Sequence, residues 1–313
     1  MVDFVNYWTG RFDCITAKLI ISSLNIYPAR FHQWKKRYGT VNRHNGKIPR
    51  HHWLFQDEKD AIISFYLNHQ TDGYRRCAYM MLDQDVACCS PSTVYRVLAE
   101  ANAIRRWNRK PSKKGDGFEQ PLKAHEHWHT DISYINVGGT FYYLITLLDG
   151  FSRYIVHTEI RNAMTELDVQ VVIQRALELF PGETPRIISD NGKQFVSRDF
   201  KELIRIHGMT HVRTSPYYPQ SNGKIERWHK TIKVECIRPG CALNVEDAKR
   251  LVGKYVKEYN EVRLHSAIGY VTPKDKLKGR AEIIHRERDS KLEQGRLARI
   301  QRSKTGRTHK IAI

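Results

Sequence analysis

"WHTDISYINVGGTFYYLITLLDGFSRYIVHTEI", residues 128–160, decides the fold. Its β-branched and aromatic runs are broken by Gly138-Gly139 and again near Gly150, which predicts three strands in an antiparallel meander. Consecutive glycines tolerate the positive φ angles that a two-residue hairpin turn demands.

Reading outward to the C-terminal side, Thr165 is a candidate N-cap. Val169, Val172, Ile173, Ala176 and Phe180 follow at helical spacing until Pro181-Gly182. "TPRIIS" (184–189) is a short buried strand that stops at Asp190. Ser197 caps a helix that Gly208 ends, "THVRT" (210–214) is a fifth strand, and the next helix carries Glu226. The order β-β-β-α-β-α-β-α predicts an α/β core: a mixed five-stranded sheet flanked by helices.

On the N-terminal side the pattern is all-α. Ile15, Leu19 and Ile20 mark one short apolar stripe, and Phe31, Trp34 and Tyr38 mark a second, whose other face carries Lys35, Lys36 and Arg37. This is helix-turn-helix spacing with a basic second helix, a DNA-reading arrangement. A second helical region follows, in which Ser90 and Pro91 open a helix with Val94, Val97, Leu98 and Ala101 as its buried stripe. "RRWNRKPSKKGDG" (105–117) reads as a basic linker, with Arg105 and Arg106 expected on DNA backbone. The expected domains are therefore 1–48 and 49–104 (DNA-binding helices), 105–120 (linker), 121–275 (core) and 276–313. The last is a basic tail, expected as an exposed helix and a disordered arm that touch DNA.

Charge agrees with this division. There are 19 basic against 11 acidic side chains in residues 1–120, 14 against 13 in 121–236, and 19 against 9 in 237–313. A nearly neutral centre between basic ends suits a polyanion held by the ends and worked on by the middle. The apolar run Tyr142–Leu148 is far short of the roughly 18–20 residues that a membrane helix needs, and no secretory signal opens the chain. The six cysteines have no C-x-x-C spacing, so reduced thiols in a soluble intracellular protein are expected. His125, His127 and His129 alternate in "HEHWH" but lack a nearby Cys pair, and no structural zinc is expected there.

Asp131 lies in the first strand, Asp190 where the fourth strand ends, and Glu226 on the helix after the fifth strand. Three carboxylates from two strands and a helix can converge at one sheet edge. Hard divalent cations such as Mg²⁺ take oxygen ligands of this kind. Two ions roughly 3.5–4 Å apart can activate a water or 3′-hydroxyl and stabilise the leaving oxygen of a phosphodiester. Lys230 and Lys233 share the Glu226 face at i+4 and i+7, while Ile225, His229, Ile232 and Cys236 fall on the face expected against the sheet.

"HTDISY", "SDNGKQF" and "SPYYPQSNGKIERWHK", with 35 residues between Asp190 and Glu226, resemble the catalytic core of bacterial insertion-sequence DDE transposases of the retroviral-integrase superfamily, D,D(35)E type. "LLDGFSRYIV" (147–156) and "NEVRLHSAIGYVTP" (260–273) resemble flanking segments of that core. The resemblance implies a ribonuclease-H-like fold and metal-dependent cleavage of element ends, with their 3′-hydroxyls joined to target DNA. Asp131, Asp190 and Glu226 would be the catalytic metal ligands for two Mg²⁺ or Mn²⁺ ions. Lys224, Lys230 and Lys233 would contact DNA, and Gln220, Asn222 and Gly223 match the loop beside the site. Asp149 and Arg153 match the family and are expected to be structural. A homo-oligomer assembled on double-stranded element ends and target DNA, in a bacterial cytoplasm at the nucleoid, is implied. An upstream reading frame, joined by frameshifting, often supplies extra DNA-binding helices to such enzymes. The rival readings are a transposase-derived DNA-binding regulator and a stand-alone metal nuclease.

Overall fold

The computed structural model describes residues 1–39, 50, 52–104, 120–214 and 222–311. It divides into two compact units, Met1–Trp53 and Leu54–Ile313. In the first, α1 (Val2–Arg11), α2 (Ala17–Ser23) and α3 (Pro28–Lys36) enclose a small core of Val2, Val5, Ile21 and Phe31. Thr16 caps α2 by accepting from the Leu19 N–H, and Pro28 opens α3.

The expected stripes are corrected here. Leu19 is exposed, and the buried position of α2 is Ile21. Trp34 and Tyr38 are exposed too, because α3 ends at Lys36 and so small a core has no surface left to cover them. The helix α1 had no counterpart among the expected elements.

The second unit opens with α4 (Gln56–Asn68), α5 (Gly73–Asp83) and α6 (Pro91–Glu100) around Ile62, Cys77, Ala78, Met81, Val94 and Leu98. Ser90 caps α6 by accepting from the Thr93 N–H. Ala101, expected in the buried stripe, is exposed because it stands at the C-cap. Burial pushes the Cys77 and Cys89 thiols up to about 11, which leaves them inert as nucleophiles at neutral pH.

Next comes the sheet. β1 (His127–Val137), β2 (Thr140–Asp149) and β3 (Ile155–Arg161) form the antiparallel meander, and β4 (Arg186–Ser189) and β5 (Thr210–Arg213) join parallel to β1, in the order β3-β2-β1-β4-β5. Gly138 and Gly139 take φ values of 57° and 86° at the β1–β2 turn, as the sequence required. Between β3 and β4 runs α7 (Glu166–Leu179), capped by Thr165, and between β4 and β5 runs α8 (Arg198–Ile206), capped by Ser197. After β5 come α9 (Gly223–Ile232), a π-helical turn at Lys233–Ile237, the single-turn α10 (Arg238–Gly240), then α11 (Val245–Glu261), α12 (Pro273–Leu277) and α13 (Ala281–Ile311).

Side-chain alternation along β2 builds a core on each sheet face. Ile145 and Leu147 join Trp128, Val172, Ile173 and Phe200 beneath α7 and α8. Leu144 and Leu148 join Ile135, Ile225, Trp228, Ile232 and Tyr259 beneath α9 and α11. This is the mixed five-stranded α/β sheet of a ribonuclease-H-like core, with the element order read from the sequence.

The C-terminal segment departs from expectation. The basic tail was expected to be exposed, yet α13 docks on the helical cluster. Arg288 is buried and places Nε and Nη2 2.7 and 2.6 Å from the Asp83 carboxylate, and Arg299 donates to Glu58 at 3.0 Å and to the Cys88 carbonyl at 3.1 Å. At Gly295 an added Cβ would lie 2.6 Å from Cys88 Cβ, so a glycine is needed for this close approach. Hydropathy alone hid the docking, because α13 is held by arginines that find carboxylates at distant positions in the chain. Asp83→Ala, which strands the buried Arg288 guanidinium, is expected to lower the unfolding free energy by about 1.5–3 kcal/mol, measured by urea denaturation against wild type. Among the described residues, no helix is long and apolar enough to cross a membrane.

Candidate active site

Register brings the first two acids together. β1 and β4 pair in parallel with His129 opposite Ile188, so by register Asp131, two residues further along β1, lies beside the point where β4 ends and Asp190 follows. Ser189 ends β4, and Asp190 turns the chain by accepting the Gly192 N–H at 3.0 Å. That hydrogen bond occupies one carboxylate oxygen. Asp131 accepts the Ile132 N–H on Oδ1 at 2.9 Å, and its Oδ2 lies 3.3 Å from His229 Nδ1.

His229 ties the third acid to this edge. α9 packs on β1, and Glu226 lies one turn before His229 in the first turn of α9, exposed to solvent. Ile225, Ile232 and Cys236 are buried as expected, and so is Trp228, whose Nε1 lies 3.4 Å from Thr146 Oγ1. His229 was expected to do no more than pack. Its contact with Asp131 was legible only as an i+3 spacing from Glu226, which cannot reveal a partner on another element.

The donors at this edge are carboxylate oxygens, the chemistry that Mg²⁺ or Mn²⁺ takes. Among the described residues, however, no three His, Cys, Asp or Glu side chains stand close enough together to hold a metal ion. The two aspartates lie beside each other in register on β1 and just past β4, and Glu226 is exposed on α9. The donors fit a divalent cation in kind, but they are not gathered into a metal site among the described residues.

The other expected site residues separate. Lys230 is exposed and Lys233 half-buried on the Glu226 side of the helix. Lys224 points elsewhere: its Nζ donates to the Gly150 carbonyl at 3.0 Å, and burial, reinforced by Arg153, pushes its pKa down to about 8. Asn222 is buried at the N-terminus of α9, while a Cβ added at Gly223 would meet nothing within 4 Å. Lys35, Lys36 and Arg37 are exposed at the end of α3. Arg105, Arg106 and Gln220 lie outside the described residues, as does most of the expected linker.

Around the site the neighbours are structural. Asp149 is buried and accepts from the Ser152 N–H at 2.7 Å, the Ser152 hydroxyl at 2.5 Å and the His125 N–H at 2.9 Å, which fixes the β2–β3 turn. The alternate histidines do not converge: His125 accepts from the Trp128 indole at 3.1 Å, and His129 is fully buried, its pKa pushed down to about 3 by that burial.

His265, in the segment after α11, is held neutral in the same way. Burial, with Arg153, Arg263, Arg76 and Arg227 close by, pushes its pKa from 6.5 down to about 4. As pH falls, the unfolded chain takes up this proton first. Stability conferred by neutral His265 is therefore full above pH 6.5 and declines as pH drops to about 4. Thermal melts between those values are expected to fall less steeply for His265→Gln than for wild type.

Known proteins resemble the same region of the chain. Two family models, both described as "Integrase core domain", match residues 121–219 and 207–273, from the entry to β1 through the opening of α12. An uncharacterized 39.2 kDa protein of insertion element IS476 from Xanthomonas euvesicatoria is 25% identical over 217 residues, 68% of this chain and 62% of that protein. The chain thus spans under two thirds of that relative's length. Transposase InsD of insertion element IS2 from Escherichia coli is 25% identical over 283 residues, 84% of this chain and 91% of that one. Among solved structures, the HTLV-2 integrase catalytic core domain in complex with magnesium is 20% identical with a TM-score of 0.41, covering 50% of this chain and 98% of that one. Residues 121–273 thus match the integrase core domain, and the chain is similar to insertion-element proteins over most of its length.

Proposed function

We propose that this protein is a DNA transposase that binds the ends of an insertion element, cuts there, and joins the exposed 3′-hydroxyls to target DNA. One observation carries the reading: Asp131 on β1 lies in register beside Asp190, which follows the end of the parallel strand β4, with Glu226 one helical turn from the histidine that touches Asp131. Carboxylates gathered at a sheet edge repel one another and cost stability unless a cation or proton joins them. In an integrase core that cost has a use.

Asp131, Asp190 and Glu226 would hold two divalent cations, Mg²⁺ or Mn²⁺. When bound, these supply Lewis acidity to a phosphodiester and lower the pKa of the attacking water or hydroxyl. The chain's own residues do the positioning. The Gly192 N–H fixes one Asp190 oxygen and leaves the other open, and the Ile132 N–H fixes Oδ1 of Asp131. His229 holds the second Asp131 oxygen towards α9 and donates to it when its Nδ1 carries a proton. Lys230 and Lys233, at i+4 and i+7 from Glu226, are suited to hold backbone phosphate on the same flank.

The helices of residues 1–48 and 49–104 are assigned to element-end recognition, with Lys35, Lys36 and Arg37 on the exposed end of α3 as candidate phosphate contacts. Arg105 and Arg106 are proposed to contact DNA backbone from the linker, and Gln220, Asn222 and Gly223 to border the site from the loop that leads into α9. Because two ends and a target must meet, a homo-oligomer on DNA is part of the proposal, and a bacterial cytoplasm at the nucleoid is where it would act.

The test is whether a 3′-hydroxyl is required. A donor duplex ending in a 3′-hydroxyl is expected to give joined product with a plasmid, and the same duplex ending in a 3′-deoxy nucleotide to give none. If both ends lead merely to cut DNA, a nuclease that uses water replaces the transposase.

A further inference from the structure

The flank of α9 turned away from Glu226 borders an open pocket of 580 Å³. Its lining includes Arg76 from α5, Arg153 from the β2–β3 turn, Lys224 and Arg227 from α9, and Arg263 and His265 from the segment after α11. No carboxylate lies among its described lining residues.

Two of these cations are answered from behind. Arg76 bonds Asp72 at 2.7 Å, and Arg263 bonds Glu235 at 2.6 Å. Arg153 and Lys224 share the buried Asp149 behind the turn, and no carboxylate faces them or Arg227 from the described pocket lining. Arg153 Nε is buried with no hydrogen-bond partner among the described residues, Lys224 donates to a neutral carbonyl, and Arg227 is exposed in the wall. Gathering three cations around one shared carboxylate is costly. Its mark is visible on the neighbouring bases, since Arg153 helps to hold both Lys224 and His265 below their ordinary pKa values.

Converging guanidinium and ammonium donors in a polar concavity match a phosphate group, which they can bond with charge-assisted geometry. We propose that this pocket is an anion site that takes one backbone phosphate of duplex DNA, gripped jointly by the helical cluster and the integrase core. The inference rests on the DNA reading above and adds a second hold on the far flank of α9. A helix with its side chains is about 10–12 Å across, and a DNA strand advances about 3.4 Å per nucleotide. A duplex whose end lies at the carboxylates therefore reaches the pocket within about three nucleotides. Contact from Arg76 would make recognition by the helices and closure on the core a single event.

The test uses the full chain and a labelled element-end duplex, with affinity measured across a salt series for wild type, Lys224→Gln, Arg227→Gln, the double variant, and Arg205→Gln. Arg205 is an exposed α8 residue paired with Glu202, and its variant is the control. Losing one phosphate contact is expected to reduce the slope of log affinity against log salt by about 0.9. Each pocket variant should do so, the double variant should add little, and the control should keep the wild-type slope. Wild-type binding with an unchanged slope in both pocket variants would overturn the proposal and leave the DNA reading standing. A second arm measures thermal stabilisation by inorganic phosphate against chloride at matched ionic strength. It should stabilise wild type and Arg205→Gln but not the pocket variants. Failure of wild type to bind duplex, with phosphate still protecting through Arg227, would assign the pocket to a free anion and overturn the proposal together with the DNA reading.

Discussion

Asp190→Asn is expected to reduce strand cleavage and joining by about 10³-fold or more while duplex binding stays intact or strengthens slightly. The carboxylate follows the end of β4, in register beside Asp131, where the two would share the charge of bound cations. Lewis-acid stabilisation of a phosphoryl transition state is worth several kcal/mol, and about 4 kcal/mol corresponds to a factor of about 10³ in rate. An asparagine keeps the acceptor that the Gly192 N–H uses, so the turn after β4 should survive. It loses the negative charge, which also removes repulsion of backbone phosphate. Parallel gel-shift and cleavage measurements separate the outcomes: loss of binding together with activity would mark Asp190 as structural.

Trp228→Ala is expected to cost about 3–5 kcal/mol of folding free energy, the range for emptying a fully buried tryptophan site. Trp228 joins three elements. Its ring stands 4.6 Å from that of Tyr259 on α11, its indole nitrogen reaches Thr146 on β2, and its own helix carries Glu226. The urea midpoint should fall sharply with little change in slope. Trp228→Phe keeps an aromatic body and loses the indole contact, and should recover most of the difference. A shift below 1 kcal/mol for the alanine variant would show that α9 is not anchored through this residue.

The core was legible because its signals are local. Gly138-Gly139, the Thr165 and Ser197 caps and the alternation along β2 each specify their element from neighbouring residues, so the element order followed from the sequence. The small first unit was harder. With four buried apolar core residues among those described, its burial pattern is decided by how three short helices meet, and periodicity placed Leu19 where Ile21 belongs. In α13, Arg288 finds its partner 205 positions away, and no local pattern encodes such a pairing.

The site divides along the same line. Strand ends and spacing brought Asp131, Asp190 and Glu226 into one hypothesis, and the β1–β4 register is consistent with the two aspartates lying beside each other. Lys224, in contrast, was grouped with the DNA-contacting lysines of α9, yet its position on the helix turns it towards Gly150 and the arginine pocket. The partners Arg76, Arg153 and Arg263 come from three separate segments, so the pocket exists only once the chain is folded.

Strand transfer tests the central claim most directly: a labelled element-end duplex and a plasmid target are incubated with wild type or Glu226→Gln, in Mg²⁺ or Mn²⁺ and in EDTA. Joined product that requires the metal and disappears in the variant is the predicted result, whereas duplex binding with no cleavage or joining in either metal would contradict it.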